Sequence, residues 1–264
     1  NMKKILSFLV ILVLIAPAVF AAQQDSSLND IKKKGVLVLG LDDSFPPMGF
    51  RDKSGEIAGF DIDLAKEVCK RMGVTLKLQP IDWSAKILDL NSRDIDVIWN
   101  GLTITDERKE KIEFSKPYIA NRQIIIVQSA SGIDTKADLD GKTVGLQLGS
   151  SADDAVKGDA KTMKSLKEII KFEDNVQALM DLEIGRLDAV VVDEILGRYY
   201  IAKREGAFAV ATDFFTEEEY GIGFRKGDKS FVAEVDRIMD EMDQDGTSAA
   251  ISKKWFGKDV MVAR

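Results

Sequence analysis

Histidine is absent from the sequence, and cysteine occurs once, at Cys69. Without histidine there is no Ser-His-Asp or Cys-His nucleophile pair, no His-ligated zinc and no imidazole proton shuttle. A single cysteine makes neither an internal disulfide nor a thiolate cage, so no metal site is expected. A basic surplus is missing too. With 37 Lys+Arg against 44 Asp+Glu, a net charge of -7, there is no general surface for neutralising phosphates, which argues against nucleic acid as a partner. What remains is carboxylate, lysine or hydroxyl chemistry, or binding without chemistry. The 264 residues, 45% of them hydrophobic, suffice for one large domain or two ordinary ones with packed cores.

The N-terminus supplies a compartment. Lys3 and Lys4 precede an apolar run from Ile5 to Ala16, Pro17 breaks it, and small residues around Val19-Phe20-Ala21 follow. This is the order of a secretory signal peptide, expected to span residues 1–21, and the run falls short of the roughly 20 apolar residues a bilayer needs. No cysteine stands at its end for lipid anchoring. The mature chain is expected to be periplasmic or secreted, and monomeric.

Downstream, short apolar strands alternate with helical stretches. Val36–Leu41 reads as a buried strand, and 60–72 carries apolar residues at helical spacing, with Gly73 as its stop and Cys69 on the core side. Val74, Leu76 and Leu78 alternate as a strand. Segments 95–99, 124–127, 143–146 and 189–192 read as further strands. The rhythm predicts α/β layers with mostly parallel sheets. The stretch 89–98 is echoed by 181–190, so each strand-loop unit is expected to occur twice, once in each of two lobes. In open α/β sheets ligands sit beyond the carboxyl ends of strands, which selects the loops after Leu41, Trp99, Leu146 and Val192.

Those loops carry a distinctive set of groups. The first holds Asp42, Asp43, Ser44 and Phe45. The second runs Asn100-Gly101-Leu102-Thr103-Ile104-Thr105-Asp106-Glu107-Arg108, where Thr105 reads as an N-cap and Arg108 projects a guanidinium from the first helical turn. A cation is poorly placed there for the helix dipole; bidentate capture of a carboxylate would explain it. The third, Gln147-Leu148-Gly149-Ser150-Ser151, opens a helix whose free N–H groups suit an anion. The fourth ends a strongly apolar strand in Asp193-Glu194, where a carboxylate is costly unless it meets a cation. One ligand satisfies all of these: a carboxylate held by Arg108, Thr103 and N–H groups near Ser151, and an ammonium at Asp193 and the carbonyls near Asn100 and Gly101. That is the recognition pattern for a free α-amino acid. Phe45 and Trp83 could sandwich its side chain. The charged runs Lys164–Lys171 and Glu217–Glu219 read as solvated faces.

These motifs, together with Gly59-Phe60-Asp61-Ile62-Asp63-Leu64-Ala65, Phe114-Ser115-Lys116-Pro117-Tyr118, Leu139-Asp140-Gly141-Lys142-Thr143-Val144-Gly145 and the closing Trp255-Phe256-Gly257, resemble the polar amino-acid-binding proteins of ABC importers across nearly the whole mature chain. The resemblance implies a two-lobe, type II periplasmic-binding-protein fold with two hinge strands, crossing near Asn121–Ile124 and Asp213–Tyr220. Lobe one would comprise 22–121 plus 217–264, and lobe two 122–216. It also implies a binding protein and not an enzyme, without a cofactor, that delivers its ligand to an ABC permease. By resemblance, Arg108, Thr103 and Ser151 take the α-carboxylate and Asp193 the α-amino group, with Asn100 and Gly101 contributing oxygens. Asp42, Phe45 and Trp83 stand at side-chain positions, and Gln147 and Ser150 complete the lobe-two face. Ala152 departs from the polar residue found there in some members. An acid at Asp42 beside aromatics favours a cationic ligand, arginine first, with lysine, ornithine, glutamine, histidine and cystine compatible. The same fold resembles periplasmic cyclohexadienyl dehydratases; for that alternative, Glu194 is the nearest candidate general acid.

Overall fold

The computed structural model describes residues 25–264; the expected export signal lies outside the described residues. β1 (Val36–Leu41) is an inner strand buried over most of its length, as its unbroken apolar run requires when both faces are covered. A small antiparallel sheet of β2 (Ser44–Phe45), β3 (Gly49–Arg51) and β4 (Ile57–Ala58) follows. The Phe60–Met72 helix then buries Phe60, Leu64, Ala65, Val68, Cys69 and Met72 on one side. Gly73, left-handed at φ 77°, ends it by donating its N–H to the carbonyls of Cys69 and Lys70. Burial pushes the Cys69 thiol up to about 12, which leaves it a small apolar core group.

β5 (Thr75–Pro80), β6 (Val97–Ile98) and β7 (Ile112–Phe114) complete the first pass through lobe one. The chain continues through β8 (Ile119–Gln128), β9 (Thr143–Gln147), β10 (Glu168–Phe172), β11 (Ala189–Asp193), β12 (Phe208–Tyr220) and β13 (Gly223–Arg225). Two five-stranded sheets result, β5-β1-β6-β13-β7 and β10-β9-β11-β8-β12. Each has a parallel trio, β5-β1-β6 or β10-β9-β11, extended by two antiparallel pairings. β6 is shorter than the expected 95–99, yet the N–H groups of Asp96 and Trp99 still reach the carbonyls of Val38 and Gly40 on β1. Glu168–Phe172, which overlaps the charged run expected to be merely solvated, is the edge strand β10; exposed Glu168 and Lys171 flank half-buried Ile169 and Ile170.

The two lobes are joined by one ladder. β8 and β12 pair antiparallel from Ile119↔Tyr220 to Gln128↔Phe208, with register shifts between Val210 and Thr216. Segments 121–124 and 213–220, where crossings were expected, lie within it. After β12 the chain re-enters the first sheet as β13, and the helices Lys229–Gln244 and Thr247–Phe256 pack against Phe60–Met72. The first lobe is thus closed by both ends of the described chain. Among the described residues no helix is long and apolar enough to cross a membrane.

Candidate functional site in the cleft between the lobes

The carboxyl ends of β1 and β6 deliver the lobe-one wall. Asp42 follows β1 directly and is buried; its Oδ1 accepts from the Ser44 N–H (2.9 Å) and hydroxyl (2.6 Å). Desolvation raises its carboxyl above the ordinary range, against the hydrogen bonds from Ser44 and Gln147. After β6 the backbone turns at Gly101, φ 60°. A side-chain carbon there would lie 2.8 Å from the Phe45 ring and 3.1 Å from Tyr220, so glycine is demanded by conformation and by space. The Gly101 N–H donates to Asp61 Oδ2 (2.8 Å), which also accepts from the Tyr118 hydroxyl (3.0 Å). Burial pushes the Asp61 carboxyl up to about 7.

Thr105 caps the Asp106–Lys111 helix as expected, its hydroxyl accepting from the Arg108 N–H at 3.2 Å. Arg108 is buried, and its guanidinium donates to the Thr103 carbonyl (2.8 Å) and across the cleft to the Gly149 carbonyl (3.3 Å). A guanidinium has five N–H donors, so most of the fork is uncommitted to these two bonds. Lobe two answers from the ends of β9 and β11. Ser150 N-caps the Ser151–Gly158 helix and turns its hydroxyl to the Gln147 carbonyl (2.7 Å). Gln147 Nε2 donates to Asp42 Oδ2 at 2.8 Å, and the Ser151 and Thr103 hydroxyls stand 3.0 Å apart. The lobes therefore meet directly, in a closed arrangement.

Nine of the eleven residues expected at the site, Phe45, Trp83, Gly101, Thr103, Arg108, Gln147, Ser150, Ser151 and Asp193, line one enclosed cavity. It is narrow, room for about one water, so admitting a larger molecule requires side chains or lobes to move. Asp42 lies one hydrogen bond away, through Gln147. The Asn100 side chain points elsewhere: its Oδ1 accepts from the Asp42 N–H at 3.1 Å and its Nδ2 lies against Gly49. It holds the Asp42 backbone, a role the loop sequence did not disclose. Ala152 is buried in the lobe-two core.

Asp193 is buried, and its Oδ1 accepts from Asn121 Nδ2 and the Tyr220 hydroxyl, both at 2.6 Å. Desolvation, reinforced by the charge of Glu218, pushes its carboxyl up to about 7. Close by, the buried oxygens Asn121 Oδ1 and Gln123 Oε1 have no hydrogen-bond partner. This end of the cleft holds more acceptors than donors.

Sequence reasoning missed Glu218 and Lys86. Glu218 belongs to a run expected to be a solvated face; instead, strand alternation in β12 exposes Glu217 and Glu219 and turns Glu218 inward. Its Oε2 accepts from Thr103 Oγ1 (2.9 Å), Gln123 Nε2 (3.0 Å), Asn121 Nδ2 (3.2 Å) and Ser151 Oγ (3.2 Å). The three-glutamate run on a crossing strand was the available signal. Lys86 is buried and donates to the carbonyls of Trp83 (2.9 Å) and Gly149 (2.8 Å), with its Nζ 4.9 Å from the Trp83 ring centre. Burial, with help from the Arg108 charge, pulls its ammonium down to about 7. Glu194, weighed as a general acid, is committed instead to Arg122 through two 2.7 Å bonds and to Arg198 at 2.6 Å. The Arg122 bonds hold its carboxyl below the usual range, the wrong direction for donating a proton near neutral pH. Among the described residues no group of three or more cysteine, aspartate or glutamate side chains is placed to hold a metal ion.

Residues 37–258 match the sequence profile of the bacterial extracellular solute-binding proteins, family 3. The L-cystine-binding protein TcyJ of Escherichia coli (strain K12) is 35% identical over 88% of this chain and 87% of its own length. An L-arginine-binding protein of Pseudomonas aeruginosa is 32% identical, covering 84% of this chain and 88% of its own. Among solved structures, an ABC uptake transporter substrate-binding protein of Streptococcus pneumoniae with bound histidine superposes with a TM-score of 0.87 at 36% identity, over 91% of this chain and 99% of that one.

Proposed function

The chain belongs to the bacterial extracellular solute-binding proteins, family 3, and from that premise we propose that it captures a free L-amino acid between its lobes and presents it to an ABC permease, with arginine or another cationic amino acid as the favoured ligand. The observation that carries this reading is the polarity of the cleft. Arg108 brings to one part of it a guanidinium fork with most of its donors uncommitted. Asp193, with the donor-free oxygens of Asn121 and Gln123, makes another part acceptor-rich. A zwitterionic head group supplies the missing partner at both places: a carboxylate for Arg108, an ammonium for Asp193.

Thr103 and Ser151, one from each lobe, would join Arg108 on the carboxylate, while Gln147, Ser150, Phe45 and Trp83 would border the side chain. Ligand contacts made to both lobes favour the closed form; moving from mostly open to mostly closed takes about 5 kcal/mol of differential contact. The lobes 22–121 plus 217–264 and 122–216 would rotate about the β8/β12 ladder, with the exported chain acting as a monomer. Asp42 supports a cationic side chain as the partner for its buried carboxyl. A thermal-shift panel of the twenty amino acids with ornithine and cystine tests the assignment, because a ligand raises stability by its own affinity. Arginine should give the largest shift; a response confined to acidic amino acids would overturn the role of Asp42.

A further inference from the structure

Glu218 bonds the two hydroxyls expected to hold a ligand carboxylate. Its Oε2 is the common acceptor for the Thr103 hydroxyl of lobe one and the Ser151 hydroxyl of lobe two, at 2.9 and 3.2 Å, while Gln123 and Asn121 on the crossing strand β8 fill its remaining directions. We propose that Glu218 is an internal occupant of the carboxylate subsite, a side chain that ties the lobes together through Thr103 and Ser151 and that the ligand's own carboxylate must displace.

An ionised carboxylate only accepts, and each hydroxyl has a single proton to give. When Thr103 and Ser151 both donate to Glu218, neither has a proton for a second carboxylate, and a second anion a few ångströms away is repelled by the first. Glu218 and a ligand carboxylate therefore use these hydroxyls in alternation. Serving as a partner for the ligand's ammonium fits Glu218 less well, because it is already committed to four donors, whereas Asp193 accepts from two, Asn121 and Tyr220. What lets a ligand win is Arg108: the guanidinium donates to two carbonyls and makes no hydrogen bond to Glu218. A ligand carboxylate gains the hydroxyls and the charge-assisted fork together. The groups around Glu218 fit this exchange: Arg108 attracts it, Asp193 repels it, and Glu217 and Glu219 face outward.

The inference rests on the amino-acid reading for the identity of the competitor, but the lobe tie itself does not. The test uses the full mature chain with Glu218→Gln, which keeps size and an acceptor oxygen, and Glu218→Ala, which removes both. Small-angle scattering of the ligand-free proteins should show a larger radius of gyration for both variants than for the parent. Calorimetric titration with L-arginine should show binding about tenfold tighter, ~1.4 kcal/mol, because a competing closed state has been removed. Unchanged ligand-free dimensions would overturn the tie whatever the titration gives, and weaker arginine binding by Glu218→Gln would assign Glu218 to the ammonium instead. If no amino acid binds parent or variant, the functional reading fails while the scattering comparison still decides the tie.

Discussion

The two ends of the cleft differ in which charge is already answered by the protein. At the hinge end, Asn121, Gln123, Asp193, Glu218 and Tyr220 form a network rich in acceptors, with two carboxylates close enough that one raises the other. At the far end the surplus is cationic: Arg108 and Lys86 both donate to the Gly149 carbonyl, and the charge of Arg108 helps pull Lys86 down. Carboxylates crowded at one end and cations at the other describe a site strained by its own charges and relieved by a molecule of opposite polarity. The lesson is that affinity here depends on removing like-charge repulsion as much as on adding contacts, and that the two ends should respond differently when broken.

The largest effect should come from removing Arg108, the cleft cation whose guanidinium fork has donors to spare for a carboxylate. Arg108→Ala is expected to reduce arginine binding by two to three orders of magnitude, since truncating one partner of a buried charge pair costs roughly 3–5 kcal/mol. The ligand-free melting temperature should stay within a few degrees, because only two carbonyl contacts are lost. Near-normal titration of that variant would sink the carboxylate assignment.

The hinge end should reveal itself through pH. With its pKa raised to about 7, Asp193 is protonated in the ligand-free fold across a window where the unfolded chain has already ionised it. That preference favours the folded state at acid pH and is lost as pH rises through the folded value. An ammonium ligand needs the ionised form, so binding must release a proton below pH 7, and affinity should fall by up to about tenfold per pH unit there. Titrations in buffers of different ionisation enthalpy measure that proton directly. A flat profile from pH 5 to 8 would mean that Asp193 is not the ammonium partner.

Periodicity and turn chemistry made much of this legible from sequence. The Val36–Leu41 strand, the helix stop at Gly73 and the Thr105 cap are local events, each decided by neighbours within a few residues. The strand-end rule also picked the loops that line the cavity. What escaped notice depended on partners distant in sequence. Glu218 meets Thr103 and Ser151 only because β8 and β12 cross between the lobes side by side. Asn100 was expected to contribute an oxygen to the ligand, and the role its side chain takes, holding the Asp42 N–H 58 residues away, is invisible without the sheet. Lys86 followed the Trp83 turn as an ordinary surface lysine would, and one of the two carbonyls that hold its ammonium, that of Gly149, comes from lobe two.

That lysine gives the smallest and most discriminating prediction. Its ammonium stands over Trp83, the ring expected to face a ligand side chain, so a cationic ligand meets a like charge there whenever Lys86 is protonated. Lys86→Met keeps the stem and its contact with the indole while removing the charge. Arginine should bind about threefold to tenfold more tightly to the variant, with glutamine changed less, because a full charge near a partly buried cation feels more repulsion than a neutral amide. The wild-type preference should move the same way without mutation: because its pKa is pulled down to about 7, Lys86 loses its proton as pH rises, and the arginine-to-glutamine affinity ratio should grow above neutrality. In Lys86→Met that ratio should be flat from pH 7 to 9. An equal gain for arginine and glutamine would mean that Lys86 acts by tying the lobes through Gly149 and has no part in selecting the ligand's charge.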